Sequence, residues 1–384
     1  MNPRPCLLLA GALLSAISSA QQRPHVFLGR CPLEDVTGFE SGRFVTSDID
    51  DLLVVQDLGR LQASLRPLQA RAEARIIRLA LLRLTGTSFE PVWVSPPLMS
   101  EPLPGSGIAP NAWAAGDIDG DGRKELVLVS GDSCSVCSFD SDSIRLVQYE
   151  IPGAWASDAV CTDIDEDNVD ELVTLELPVD SADPGLRLVR VYEYSDSGFA
   201  AVSPYVAGLY WSDRAEVSMT GAVRLEDYPG RLPVFVGVHD RLRPSAYAVL
   251  YPAAPDSFAL TTKPFPLRDW FNKQDVLPSG PLSFFNVGDT TVAYGWFVPG
   301  SRPTGPRNSF AALLDGEWSL LRMTAAAERL GGPVCRFDYA GTRGWLELRD
   351  RVFHFYPGRV FELVEEEPPG PLFPDLPLQD PDGR

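Results

Sequence analysis

The sequence predicts an all-β chain, a β-propeller of four-stranded blades, six by count, with a seventh accommodated only in the lead-in or the longest interval. Three observations predict it. A unit of short strand, polar loop, apolar strand and hairpin returns along the chain, and the strand after each loop is marked by Leu53, Leu126, Leu172, Leu232, Val292 and Leu346. The intervals between these markers run from 46 to 73 residues, the period of a propeller blade. The chain carries 35 Pro and 32 Gly in 384 residues, which implies many turns rather than long helices. A four-stranded unit cannot bury both faces alone, so neighbours must stack, and radial closure removes the free sheet edges. Regular return of one unit argues against the alternative, a pair of β-sandwiches.

Taken in order, residues 1–20 read as an export signal: Arg4, an apolar run over 7–17, and Ser18-Ser19-Ala20 before a cut after Ala20. The run is too short for a comfortable membrane span, and no second transmembrane candidate follows. The expected location is secreted or periplasmic. Residues 21–41 read as a lead-in with one short strand at 26–28. The propeller is expected over 42–364, followed by an acidic, Pro-rich tail, extended or disordered, over 365–384.

The first unit has the loop Asp48-Ile49-Asp50-Asp51, a strand at 52–55, and a hairpin of 76–84 and 89–94 turned by Thr85-Gly86. Between them, 60–75 is an insertion whose Leu, Ala, Gln, Arg and Glu content supports a short helix. The second unit has strands at 113–115, 126–130 and 144–149 around the loop 117–125. The third has 159–162, the loop 163–171, 172–177, and a hairpin of 187–194 and 199–203. The fourth has 221–225, a loop containing Glu226-Asp227-Tyr228-Pro229-Gly230, then 234–238 and 246–251. The fifth has 282–285, 292–297, 310–314 and 318–322, and the sixth has 334–337, 345–348, 352–356 and 360–364.

Two of the loops carry chemistry. Asp117, Asp119 and Asp121 are two apart and Glu125 follows; Asp163, Asp165, Asp167 and Glu171 repeat the frame. Calcium takes six to eight hard oxygen ligands, and alternate carboxylates of a tight loop can turn onto one ion. The seventh position would add a main-chain carbonyl, from Arg123 or Val169, and the ninth a longer carboxylate, Glu125 or Glu171. Gly122 and Asn168 suit the sharp reversal at the sixth position. Ile118 and Ile164 can point into the core and pin the loop. Magnesium is less suited to a loop of mostly protein oxygens. Without an ion the four carboxylates repel one another, so calcium at two sites is expected as a folding partner.

This pattern resembles the calcium-binding FG-GAP, or integrin-alpha-like, propeller repeats, also described as VCBS-type repeats in many secreted bacterial proteins. The resemblance is strongest at 111–129 and 157–175. It implies that each loop joins the first two strands of a blade and binds calcium through Asp117, Asp119, Asp121, the Arg123 carbonyl and Glu125. The second set it implies is Asp163, Asp165, Asp167, the Val169 carbonyl and Glu171. Asp48 and Asp50 match only its first two positions, in a loop read as truncated, and the loops of the last three units lack it. An EF-hand is disfavoured, because a strand follows and no acidic residue closes a twelve-residue loop.

The net charge of -19 argues against nucleic acid as a partner. Of the cysteines beyond the export signal, Cys134 and Cys137 could close a local disulfide and Cys31 could staple to Cys335, leaving Cys161 over. The sequence shows no nucleophile elbow, phosphate-cradling loop or zinc-protease motif. His239, beside Asp240, is the best base candidate; His354 alternates with Phe353 and Phe355 in a strand pattern. The expected function is a non-enzymatic, calcium-stabilised binding module for a protein or a glycan. The alternative, a secreted polysaccharide hydrolase or lyase on a propeller scaffold, needs a carboxylate pair or base not spent on calcium. Trp155, Tyr210, Trp211, Trp270 and Phe271 could stack on a sugar or anchor a protein, against the plainer role of packing between blades.

Overall fold

The computed structural model describes residues 26–357, apart from 47–49, 64–71, 100–110, 141–142, 152–155, 177–185, 203–206, 211–214, 224–230, 240–242, 255–256, 279–282, 288–289, 300–307 and 327–333. The described chain opens with β1 (Val26–Arg30). Blade 1 follows as β2 (Val36–Gly42), β3 (Asp51–Ala63), β4 (Ala72–Thr85) and β5 (Ser88–Val94), with β6 (Leu98–Met99) added to β4. Blade 2 is β7 (Asn111–Gly116), β8 (Glu125–Ser130), β9 (Ser133–Phe139) and β10 (Ile144–Glu150). Blade 3 is β11 (Ala156–Thr162), β12 (Glu171–Glu176), β13 (Leu186–Ser195) and β14 (Gly198–Ala201), with β15 (Ala207–Tyr210) on β13.

Blade 4 is β16 (Ala215–Val223), β17 (Leu232–His239), β18 (Arg243–Ala254) and β19 (Ser257–Pro264). A short helix, α1 (Arg268–Lys273), leads into blade 5. There β20 (Val276–Pro278) and β21 (Ser283–Val287) both pair with β22 (Thr290–Pro299), followed by β23 (Asn308–Leu314) and β24 (Leu320–Ala326). Blade 6 is β25 (Val334–Tyr339), β26 (Thr342–Arg349) and β27 (Val352–Pro357).

The expected six-bladed propeller is the fold observed, every blade antiparallel. Inner strands meet around the ring: β7 lies against β11, β11 against β16, β16 against β21, and β25 against β2. The ring closes through β1, which pairs antiparallel with β27 (Val26 opposite Phe355, Phe27 opposite His354) and is the outer strand of blade 6. The stretch read as a lead-in therefore supplies two strands, β1 and most of β2. The strand expected at 360–364 lies outside the described residues.

Period-two alternation sorts each apolar run into two cores, because successive side chains of a strand point to opposite faces. Leu52 and Val54 pack with Leu28, Phe337 and Phe353 between blades 6 and 1, while Leu53 joins Leu79, Leu126 and Phe139 between blades 1 and 2. Leu172 packs with Val127 and Cys134 between blades 2 and 3, and its neighbour Val173 with Phe235 on the other side. A strand buried on both faces needs an unbroken apolar run such as Leu52-Leu53-Val54. Each such side chain contributes about 1.5–3 kcal/mol on burial.

Two expectations are corrected. The insertion is not a helix where it is described: Arg60 pairs opposite Arg75 and Ala63 opposite Ala72, so its ends prolong the β3–β4 hairpin. The cross-strand ladder overrides a composition that favours helix only weakly. The disulfides are also absent, since all five described cysteines are buried free thiols. Cys134 and Cys137 are three apart on β9, a strand missed in the sequence. They face opposite sides, Cys134 into the core between blades 2 and 3 and Cys137 into that between blades 1 and 2. Cys31 and Cys335 share the core between blades 6 and 1 without a bond.

Candidate metal centre

Ladder register fixes the two acidic loops. Gly116 pairs opposite Glu125 and Thr162 opposite Glu171, so residues 117–124 and 163–170 span the same gap between the first two strands of blades 2 and 3. Each glutamate is the first residue of its second strand and is nearly sealed, Glu125 at 3% and Glu171 at 5% exposure. Ile118 and Ile164 are buried at 1% each and anchor the loops to the core, as their positions suggested.

Within each loop the aspartates organise the backbone. Asp117 Oδ2 accepts from the Gly122 N–H at 2.8 Å, and Asp163 Oδ2 from the Asn168 N–H at 3.2 Å. Asp119 Oδ1 accepts from the Asp121 N–H, and Asp165 Oδ1 from the Asp167 N–H. Glu125 Oε2 takes the Ile118 N–H at 3.3 Å, and Glu171 Oε2 the Ile164 N–H at 2.8 Å. The sixth position is left-handed in both loops, φ 86° at Gly122 and 70° at Asn168. The fourth position is left-handed too, in Gly120 and, less comfortably, in Glu166.

The geometry brings together Asp117, Asp119 and Glu125 in one group and Asp163, Asp165 and Glu171 in the other, with carboxylate oxygens within 4.8 Å of one another. Asp121 and Asp167 stand outside these groups. Asp121 is bound at Oδ2 by the Arg123 guanidinium, at 2.6 and 2.9 Å, and at Oδ1 by the Arg123 N–H. Asp167 Oδ1 accepts from the Val169 N–H at 2.8 Å. The Arg123 side chain, which the sequence left without a role, also reaches Asp140.

The electrostatics are those of crowded, partly desolvated carboxylates. Burial first, then the negative charges of Asp119, Asp121 and Asp117, push the Glu125 carboxyl up to about 8. Burial, together with Asp165 and Asp167, pushes Glu171 up to about 8 as well. Asp117 is raised by burial and by Asp121 and Asp119. Asp121 is lowered: burial raises it, but the hydrogen bonds and charge of Arg123 outweigh that. Asp117 Oδ1 and Asp163 Oδ1 are buried with no hydrogen-bond partner. Two hard oxygens at equivalent points, each desolvated and unsatisfied, fit a hard divalent cation.

Register also revises the first loop. Gly42 pairs opposite Asp51, the same interval as in blades 2 and 3, so the loop is not truncated. Asp51 takes the place of Glu125, and Arg43 and Val45 take the places of the first two aspartates, while Ser47 lies outside the described residues. Asp51 is 1% exposed; it accepts from the Val45 N–H and is paired with Arg83 at 3.1 Å. Here an arginine neutralises the buried carboxylate. Asp50 Oδ2 accepts from the Asp338 N–H of blade 6, and Asp48 lies outside the described residues. Blade 4 keeps the interval, with Val223 opposite Leu232, but an apolar residue fills the glutamate position.

The residue before each second strand reaches back to the preceding blade. The N–H groups of Lys124, Asp170 and Arg231 donate to the carbonyls of Arg43, Asp117 and Asp163, at 2.6, 2.8 and 2.9 Å. Sequence reading missed this device, because position eight of the loop shows no common residue type.

Of the aromatic candidates, Phe271 is fully buried on α1, and Trp270 packs against it and against Phe297 and Phe310. Both serve the core. Trp155, Trp211 and the side chains of Tyr210 and His239 lie outside the described residues. His354 is 7% exposed, edge-on to Phe27 at 4.9 Å. No protein-family model and no curated protein matches the chain. Among the described residues, no helix is long and apolar enough to cross a membrane.

Proposed function

We propose that the chain is an exported, calcium-stabilised propeller of the FG-GAP or VCBS kind, serving as a non-enzymatic binding module for a protein or a glycan. One observation carries the calcium reading: the same acidic loop occurs at the same register in two successive blades, with the same aspartate oxygen buried and unpartnered in each. Asp117, Asp119 and Glu125 would hold one ion and Asp163, Asp165 and Glu171 the other, with Asp121, Asp167 and the carbonyls of Arg123 and Val169 able to complete the shells. The ion would neutralise carboxylates that otherwise repel, and its binding free energy would add to the folding free energy. The binding role is supported by the scaffold alone, a closed ring whose loops are free to vary.

Titration of chelator-stripped protein with calcium chloride in a calorimeter tests the first half. Two ions per chain are expected, with a melting temperature that rises with calcium. Absence of binding heat sinks the calcium reading. Glycan and protein arrays, probed with and without chelator, test the second half; a propeller that retains nothing on either array would count against a binding role.

A further inference from the structure

The two acidic loops are fastened to one another. The Asp170 N–H donates to the Asp117 carbonyl at 2.8 Å, and the Asp170 carboxylate accepts from the Asp117 N–H at 2.8 Å. Both main-chain groups of Asp117 are thus held by one residue of the next blade. Asp117 carries the unpartnered buried oxygen of its loop, and Asp170 directly precedes Glu171, the most buried carboxylate of the other loop. The Asp170 carboxylate is not part of its own loop's acidic group; it is turned to its neighbour.

The close approach is built in at Gly116. A Cβ there would run into the Cys161 Cβ and lie 2.6 Å from Asp170 Oδ2. The flanking junctions are simpler. Lys124 donates its N–H to the Arg43 carbonyl but sends its side chain to Glu40, and Arg231 donates its N–H to the Asp163 carbonyl. Among the described residues, the two-way clasp joins the two loops that carry the full carboxylate series.

We propose that the two loops take up their divalent cations as a coupled pair, with Asp170 as the positioning residue that couples them. The proposal rests on the reading of both loops as calcium sites. An ion in the blade 3 loop draws in Glu171 and fixes the residue before it. Asp170 then holds the Asp117 backbone in the orientation that turns its carboxylate toward the first site. The shared segment is ordered by whichever ion arrives first, so the second binds more tightly. Thermodynamic linkage makes the effect reciprocal: each ion must raise the affinity of the other by one and the same factor.

The test is calcium calorimetry on the full, chelator-stripped chain and three variants. Glu125→Gln and Glu171→Gln each leave one site, and Asp170→Asn keeps both acidic groups while weakening the clasp. Each single-site variant is expected to bind one ion, about 5-fold or more weakly than the coupled wild type requires, with the same factor from both directions. Asp170→Asn, which keeps the main-chain bond and a weaker side-chain acceptor, is expected to bind two ions with a coupling factor lower than that of wild type. Its melting temperature in chelator stays close to that of wild type, which separates lost coupling from lost structure. Wild-type sites that match the single-site variants would overturn the coupling and leave the calcium reading standing. Absence of calcium binding in wild type would overturn both. Should Asp170→Asn not fold, the two single-site variants against wild type still decide the matter.

Discussion

Replacing Glu125 by Gln should stabilise the metal-free protein at neutral pH, although it removes a carboxylate from the proposed ion site. Glu125 is 3% exposed and its carboxyl is pushed up to about 8, against 4.5 for the free side chain. Between those values the folded chain holds a proton that the unfolded chain has released. Stability is therefore greatest below the unfolded pKa and falls as pH rises toward the folded one, by about 1.4 kcal/mol per pH unit for one such group. From 4.5 to pH 7 that amounts to about 3 kcal/mol. Glutamine is neutral at every pH, keeps an acceptor for the Ile118 N–H and adds a donor toward Asp117 and Asp119.

Urea denaturation in chelator, at pH 5 and pH 7.5, measures this. Wild type should be less stable at the higher pH. Glu125→Gln should lose less, keeping the share due to Glu171, whose carboxyl is also pushed up to about 8, and should exceed wild type by about 3 kcal/mol at neutral pH. Saturating calcium should remove the advantage, because wild type then gains about 2.7 kcal/mol per site at a hundred times the dissociation constant and the variant gains at one site fewer. A variant less stable than wild type in chelator at pH 7.5 would refute the reasoning.

Three further outcomes are expected. Arg83→Met should destabilise by about 3 kcal/mol in urea titration, because it strands the buried Asp51 carboxylate, and Asp51→Asn added to it should recover part of the loss. Gly116→Ala should cost about 1–3 kcal/mol or more through the clash with Cys161 and Asp170, and should weaken calcium binding at the blade 2 loop; an unaltered melt would show the blades are not so closely joined. Reductant should leave the melting temperature unchanged, and the five described thiols should resist labelling when folded yet all react after unfolding; a reductant-sensitive melt would argue for disulfides.

The blade count and the acidic loops were legible because both rest on local signals: turn residues, apolar runs and carboxylates two apart. What was not legible depended on pairing at a distance. The Ser-Cys-Ser-Val-Cys-Ser-Phe stretch of β9 has small residues that read as a loop, and only its partners β8 and β10 make it a strand. Asp48 and Asp50 were aligned to the aspartate series by residue type, whereas the ladder places Asp51 in the glutamate position. Where it is described, at 60–63 and 72–75, helix-forming composition lost to the cross-strand ladder of the β3–β4 hairpin. Trp270 and Phe271 read as loop aromatics open to either a ligand or the core, and a short helix sets both against the core.

The pairing of β1 with β27 also sets a timetable. Residue 26 leaves the ribosome long before its partner, residue 355. At about 5–20 residues per second, β1 waits tens of seconds for its partner. During that time β1, whose ladder partner is β27, has no sheet to join, and its Val26 and Phe27 are 40% and 58% exposed even in the finished ring. Five blades can assemble in turn as they emerge, while the sixth can be completed only once β25, β26 and β27 have followed. Ring closure then rests on the meeting of two strands far apart in the sequence, and a chaperone that shields β1 would act on a segment made long before its partner.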